Sequence, residues 1–581
     1  MMKRSRNPET MERIRGRLER LYPEAPIDGL MRRVGLLEGR YGLSSTRRGN
    51  QERWDETDAI LIAYGDSILE PGKPPLQALT AFVSNRLDGL IPIVHVLPFF
   101  PYSSDDGFSV IDYRMVNPDL GTWADLAKLG DAADLMVDLV INHVSRQSEW
   151  FRHYLMDVAP YRDYFIEVDP ATDLSGVTRP RDLPLLSEVS TARGKRHVWT
   201  TFSRDQIDVN MANPDVLFEY LDILLGYLAR GARLVRLDAV GFLWKRPGTP
   251  CIHLPETHDV VKLFRDIVET VAPKTILVTE TNVPHAENIS YFGAGDEAHM
   301  VYQFSLPPLL LHALQTGNAQ YLNAWASRLA PPPPGCTFLN FTASHDGIGV
   351  RPLTGLVPEA EIAALVEGVQ QRGGQVSMKR NPDGSTSPYE LNITYFSALS
   401  DPEDHDQDLH VQRFLCSQIA MLGLRGIPAL YIHSLTATAN DLAGMAESGR
   451  ARSINRMRWK REDLETLLDD PESPGGQVFS ELLRALRARA ACPAFHPEGP
   501  QRHLPGPDSC FQFLRESPDG SVHLLAIHNL TREPQRIDFP PGIPQPGTQG
   551  RDLLSGETLP VGEGATIDLK PYGCRWIQLG G

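Results

Sequence analysis

Eight short apolar runs, separated by helical stretches, constrain this chain more than any other feature. They are "DAILIAYGD" (58–66), "GLIPIVHVLP" (89–98), "DLMVDLVINHV" (134–144), "ARLVRLDAV" (232–240), "TILVTET" (275–281), "HMVYQFSL" (299–306), "CTFLNFTASHD" (336–346) and "GIPALYIHS" (426–434). Uninterrupted apolar strands that alternate with helices belong to a parallel sheet covered on both faces. Eight such repeats predict a closed (β/α)8 barrel of the TIM type.

The remaining segments fall outside that repeat. Residues 1–55 mix charge with helical periodicity, as in "PETMERIRGRLERLYPE", and predict a helical extension. The barrel is expected over 56–500. Two of its connections are too long to be simple loops: about 145–208 after the third strand, and about 351–395 after the seventh. Long insertions in a compact domain usually carry function, and here they follow strand C-terminal ends, where barrel active sites are built. "APPPPGC" (330–336) is a stiff lead into the seventh strand. Residues 501–581 turn to short alternating strands with Gly and Pro turns, which predicts a small antiparallel C-terminal β domain.

Composition excludes several classes of function. The 581 residues are 41% hydrophobic and 22% charged, as in an ordinary globular protein. A formal net charge of -16 argues against general binding to nucleic acid or anionic membranes. No apolar run is long enough to span a bilayer, and "MMKRSRNPET" lacks the apolar core of a signal peptide. Six cysteines are scattered without CxxC spacing, as expected of reduced thiols in a cytoplasmic protein. "HLPETH" (253–258) brackets Glu256 with two histidines. It is not HExxH, and its proline interrupts the helix such a motif needs, so no metal site is expected.

Polar residues gather where the strands end. The third ends with Asp138, Asn142 and His143, the fourth with Arg236 and Asp238, the fifth with Glu280, and the seventh with His345 and Asp346. A lone strand-end Asp is usually a helix cap, and a lone His is usually a satisfied hydrogen-bonding residue. Four strands aiming carboxylates, histidines and an arginine at one rim are harder to explain as caps. Carboxylates crowded into one cavity raise at least one pKa, as a general acid requires. Arg236 and Asp238 lie two apart, on one face of a strand, and an adjacent arginine keeps a nucleophilic carboxylate charged. This inventory suits glycoside chemistry, in which one carboxylate attacks and another protonates the leaving oxygen.

"DLVINHVS", "ARLVRLDAVGF", "LVTET" and "ASHDGIGV", in this order, resemble the four conserved regions of the α-amylase family, glycoside hydrolase family 13. The resemblance spans residue 58 to the C-terminus. It implies a catalytic barrel with a B domain in the third loop and a C-terminal β domain. It also implies Asp238 as nucleophile, Glu280 as acid/base and Asp346 as transition-state stabiliser, with His143, Arg236 and His345 binding the sugar. "SDDGFSVIDY" (104–113) and "ESGRARSINRM" (447–457) resemble the sucrose phosphorylase branch, and imply that Asp105, Phe108 and Arg456 hold the glucose. "TRPRDLP" (178–184) resembles a loop that gives an arginine, here Arg181, to phosphate.

Within that branch, "GTPCIHLPETH", "GVRPLTGLVP", "GGQVSMKRNPDGSTSPYELN", "YIHSLTATANDL" and the long N-terminus look most like glucosylglycerate phosphorylases. The implied reaction is transfer of a glucosyl group from a small α-glucoside to inorganic phosphate as co-substrate, without a redox cofactor. Arg372, Lys379 and Arg380 are candidate receivers of a glycerate carboxylate, or else a solvated loop face. Other phosphorylases of the branch, acting on sucrose, sucrose 6′-phosphate or glucosylglycerol, remain alternatives. So do a hydrolase or transglucosylase with the same three carboxylates, and a non-catalytic protein on the same scaffold.

Overall fold

A computed structural model describes residues 7–43, 53–87, 89–181, 183–381, 384–543 and 547–580. Eight parallel strands close a barrel: β1 (Ile60–Ala63), β2 (Ile93–Val96), β3 (Asp134–Val140), β4 (Ala232–Asp238), β5 (Ile276–Thr279), β6 (Met300–Tyr302), β7 (Thr337–Phe341) and β8 (Ile427–Tyr431). These are the eight apolar runs, each shortened. Each strand pairs with its sequence neighbours, and β8 closes onto β1 through Ile60 and Ala429.

Register decides what meets at the C-terminal rim. Asp138 on β3 lies level with Arg236 on β4, and Val140 lies level with Asp238. Val278 on β5 is level with Arg236 from the other side. Leu234, Arg236 and Asp238 share one face of β4. Leu234 is sealed at 0% exposure, while Asp238 reaches 7% at the rim.

Helices Pro8–Leu21 and Ile27–Arg40 pack against the barrel helices Pro255–Val271 and Pro214–Ala229. Their apolar faces bury Ile14, Leu18, Leu30 and Val34. A ladder of arginines reinforces the contact: Arg17 is 2.7 Å from Asp266, Arg13 is 2.9 Å from the same carboxylate, and Arg20 is 2.6 Å from Asp259. Arg17 and Asp266 are both buried, so removing one partner strands the other's charge. Asp266→Ala is expected to lower unfolding stability by about 2 kcal/mol, because Arg17 retains Asp296 at 3.3 Å. Denaturant unfolding checks this. A change under about 0.5 kcal/mol would mean that the apolar stripe alone docks these helices.

The insertion after β3 holds the helix Glu149–Leu155, the hairpin Leu186–Thr191/Gly194–Trp199 and the short pair His143–Ser145/Gln206–Asp208. The insertion after β7 is a three-stranded antiparallel sheet with Thr386–Asn392 in the centre, and the helix Glu359–Gln371. The C-terminal segment forms a six-stranded antiparallel sheet from Gln501–His503 to Cys574–Leu579, with a two-stranded companion. It has its own core around Leu514, Leu525, Ile527 and Ile577. All six cysteines are unpaired, and no helix among the described residues is long and apolar enough to cross a membrane.

"HLPETH" departs from its expectation in one respect. Pro255 does not interrupt a helix but begins one, Pro255–Val271. Proline suits that first position, since its missing N–H would have no partner there.

Candidate active site

A cavity, open at its mouth, lies at the C-terminal ends of the strands. Asp105, Phe108, His143, Arg181, Arg236, Asp238, Glu280, His345 and Asp346 all line it. Residues more than 240 positions apart in the chain therefore meet in one space.

Arg236 is the buried hub. Its Nη1 donates to Asp238 Oδ1 at 2.7 Å and to Asp138 Oδ1 at 2.5 Å, and its Nη2 is 4.0 Å from Glu280. Asp138 is held from behind by His95 Nε2 at 2.7 Å. The guanidinium is thus shared between two carboxylates rather than dedicated to Asp238. Ala239, directly after Asp238, has φ 51°, a left-handed conformation that costs energy for a residue with a Cβ. Its N–H donates to Glu280 Oε2 at 3.0 Å, so the strained turn ties β4 to β5 at the site.

The three carboxylates differ electrostatically. Burial raises Asp238 well above the ordinary range, with Arg236 opposing and Glu280 adding repulsion. Burial also raises Glu280, again against Arg236. The pair is close enough to titrate as a unit, so it holds a proton into a higher pH range than free carboxylates do. Asp346 goes the other way. Burial would raise it, but Arg452, 2.6 Å away, with Arg456 beyond, holds it well below the ordinary range.

His345 stacks flat on Phe108, with centroids 4.8 Å apart. Burial depresses its pKa to about 3, so the ring is neutral. His143 Nε2 donates to the Phe108 carbonyl at 2.8 Å, and burial lowers its pKa too. Beneath it, Asn142 Nδ2 donates to Asp208 at 3.0 Å, and the buried Lys245 ammonium sits 2.6 Å from Asp208. Asp105 and Asp106 both adopt left-handed φ, 54° and 48°. Burial would raise Asp105, but Arg452 and Arg181 hold it low.

Arg456 is buried beside Asp346: its Nη2 lies 3.9 Å from Asp346 Oδ1 and has no hydrogen-bond partner among the described residues. Its Nε donates to the His345 carbonyl at 2.9 Å and its Nη1 pairs with Asp106. Arg452 stands closer to Asp346, at 2.6 Å, and also grips Glu390 through two bonds of 2.8 and 3.0 Å. Both arginines belong to one short segment around the 3₁₀ turn Ala451–Asn455. Arg372 donates to the Ser400 and Gly368 carbonyls, and neither it, Lys379 nor Arg380 lines the cavity.

Sequence reasoning also missed His95, Lys245, Asp208, Arg351, Glu390 and Arg452. His95 lies inside an apolar run, and the others lie in the insertions and connections between barrel strands, whose course no periodicity reports. In "HLPETH", His258 is bound to Glu297 at 2.7 Å, His253 to the Tyr291 hydroxyl at 2.8 Å, and Glu256 pairs with Arg246. Among the described residues no group of three or more His, Cys, Asp or Glu side chains stands together as a metal ion would need.

Residues 90–328 match the family described as "Alpha amylase, catalytic domain". The chain is 49% identical over 531 residues, 90% of both chains, to a glucosylglycerate phosphorylase of Spirochaeta thermophila. It is 46% identical to that of Escherichia coli over 94% of this chain and 96% of the relative. A sucrose phosphorylase of Bifidobacterium adolescentis is 30% identical over 74% of this chain and 85% of the relative. The crystal structure of sucrose 6F-phosphate phosphorylase from Thermoanaerobacter thermosaccharolyticum superposes with a TM-score of 0.71 at 26% identity, covering 83% of this chain and 96% of that one. With its eight-stranded barrel and these relatives, the chain belongs to the α-amylase family, glycoside hydrolase family 13, on the branch that contains the glucosylglycerate and sucrose phosphorylases.

Proposed function

We propose that this protein is a retaining α-glucoside phosphorylase that transfers a glucosyl group from glucosylglycerate to inorganic phosphate, releasing α-glucose 1-phosphate. One observation carries the reading. Two burial-raised carboxylates and one arginine-held carboxylate line a single cavity, in a chain 46–49% identical to glucosylglycerate phosphorylases over at least 90% of its length.

The reaction is a double displacement. Asp238 attacks the anomeric carbon while Glu280 protonates the departing glycosidic oxygen, leaving a β-glucosyl ester on Asp238. Glu280 then takes a proton from phosphate, which attacks the anomeric carbon, displaces the Asp238 carboxylate and gives an α-linked product. Between them Asp238 and Glu280 need one proton and one negative charge. Arg236, 2.7 Å from Asp238 and 4.0 Å from Glu280, favours the charge on Asp238 and the proton on Glu280. Asp346, kept ionised by Arg452, offers a fixed anion to sugar hydroxyls as the ring becomes positive. Asp105, Phe108, His143 and His345 enclose the glucose, and Arg181 meets the phosphate. No redox cofactor enters. Residues 1–55 serve as an extension to the 56–500 catalytic barrel, and 501–581 as a C-terminal domain. A cytoplasmic location suits the six free thiols.

A panel of glucosylglycerate, sucrose, sucrose 6′-phosphate and glucosylglycerol, each with and without phosphate, tests this reading. Glucose 1-phosphate is expected to form fastest from glucosylglycerate and only with phosphate. Equal turnover to free glucose without phosphate would make the protein a hydrolase instead.

The pH profile follows from the same pair. The first half-reaction needs Asp238 unprotonated and Glu280 protonated. Burial raises both groups, so kcat/KM for the glucosyl donor is expected to fall on the acid side at a pH above the ordinary carboxylate range of about 4. It falls again on the alkaline side as Glu280 loses its proton. A profile flat from pH 4 to 9 would contradict the assignment.

A further inference from the structure

A glycerate leaving group carries a carboxylate, and the cavity must receive it. Four arginines line the cavity: Arg181, Arg236, Arg351 and Arg452. Two are already neutralised. Arg236 serves Asp138 and Asp238, and Arg452 serves Glu390 and Asp346. Arg181 is matched to phosphate in the proposed reaction. That leaves Arg351.

Arg351 starts the short 3₁₀ turn Arg351–Leu353, five residues after Asp346. Its side chain is only 18% exposed, and its sole ion-pair partner among the described residues is Glu287, at 3.4 Å and itself 42% exposed. His253 lines the same wall and is kept neutral by burial and by Arg351. Beside them Asn282 also lines the cavity, and its Oδ1 is buried without a hydrogen-bond partner, an acceptor suited to a ligand hydroxyl.

We propose that Arg351 holds the acceptor's carboxylate and makes the enzyme select a small hydroxy acid over the corresponding neutral polyol. The inference rests on the proposed phosphorylase function. It replaces the earlier candidates Arg372 and Arg380 with a residue that faces the reacting groups. A guanidinium suits this task because it binds both carboxylate oxygens at once.

The test runs the reaction in the synthetic direction, from α-glucose 1-phosphate with either D-glycerate or glycerol as acceptor, and reads phosphate release. The ratio of kcat/KM for the two acceptors cancels any loss common to both. Wild-type enzyme is expected to prefer glycerate. Arg351→Ala is expected to cut that preference about 50-fold or more, and Arg351→Lys less. Melting temperatures report folding, and Arg351→Gln and Arg351→Lys carry the comparison if the alanine variant does not fold. A wild-type preference for glycerate that all Arg351 variants retain within twofold overturns the assignment of Arg351. No glycerate-dependent phosphate release from wild-type enzyme overturns the proposed function itself.

Discussion

Asparagine in place of Asp238 is expected to lower kcat/KM for phosphorolysis by about 10⁴-fold or more, equivalent to about 5–6 kcal/mol of transition-state stabilisation. The substitution keeps the shape of the side chain and removes only its charge and nucleophilicity. Arg236 keeps its second partner, Asp138, at 2.5 Å, so the hub is not left bare, and the fold should persist. An amide cannot form the glucosyl ester, so the double displacement has no first step. Steady-state kinetics with glucosylglycerate and phosphate, alongside a melting temperature, decide the matter. Activity within tenfold of wild type would remove Asp238 from the nucleophile's role.

Glu280→Gln is expected to cost about 10³-fold on glucosylglycerate, within the usual range for loss of a general acid. The loss depends on the leaving group. A glycerate oxygen departs as a poor alkoxide unless protonated, whereas fluoride from α-glucosyl fluoride needs no proton. The first step with the fluoride should therefore be lowered far less than with glucosylglycerate. The variant should also lose the alkaline limb of the pH profile, since glutamine has no proton to give up. Equal losses on both donors would point to a structural role for Glu280, through its bond from the Ala239 N–H at 3.0 Å.

The two expectations draw on different parts of the molecule. The nucleophile depends on a strand position and its arginine. The acid depends on burial, on Asp346 nearby and on a strained turn at Ala239. Both kinds of information meet at the rim, but they were not equally legible in the sequence.

The eight barrel strands were legible because a parallel strand covered on both faces must be apolar nearly throughout, and each run ends in helix-forming or turn residues. Asp238, Glu280 and Asp346 were legible as charges at the C-terminal ends of such runs, where an apolar strand has no structural use for them. What only the tertiary structure decided lies in loops and in register. Arg450, Arg452 and Arg456 stand within seven residues of one another, and nothing in their spacing says that Arg452 pairs with Asp346 at 2.6 Å while Arg456 pairs with Asp106 and stands 3.9 Å from Asp346. Arg236 reads as the partner of Asp238, yet strand register adds Asp138 as an equal claimant. Arg372 reads as a loop cation open to a ligand but closes a helix end, while Arg351, which no pattern singles out, enters the cavity. Strand positions follow from alternation and burial, which a sequence records residue by residue. Where a loop arginine points depends on backbone dihedrals set by packing against distant segments, and a sequence does not record those.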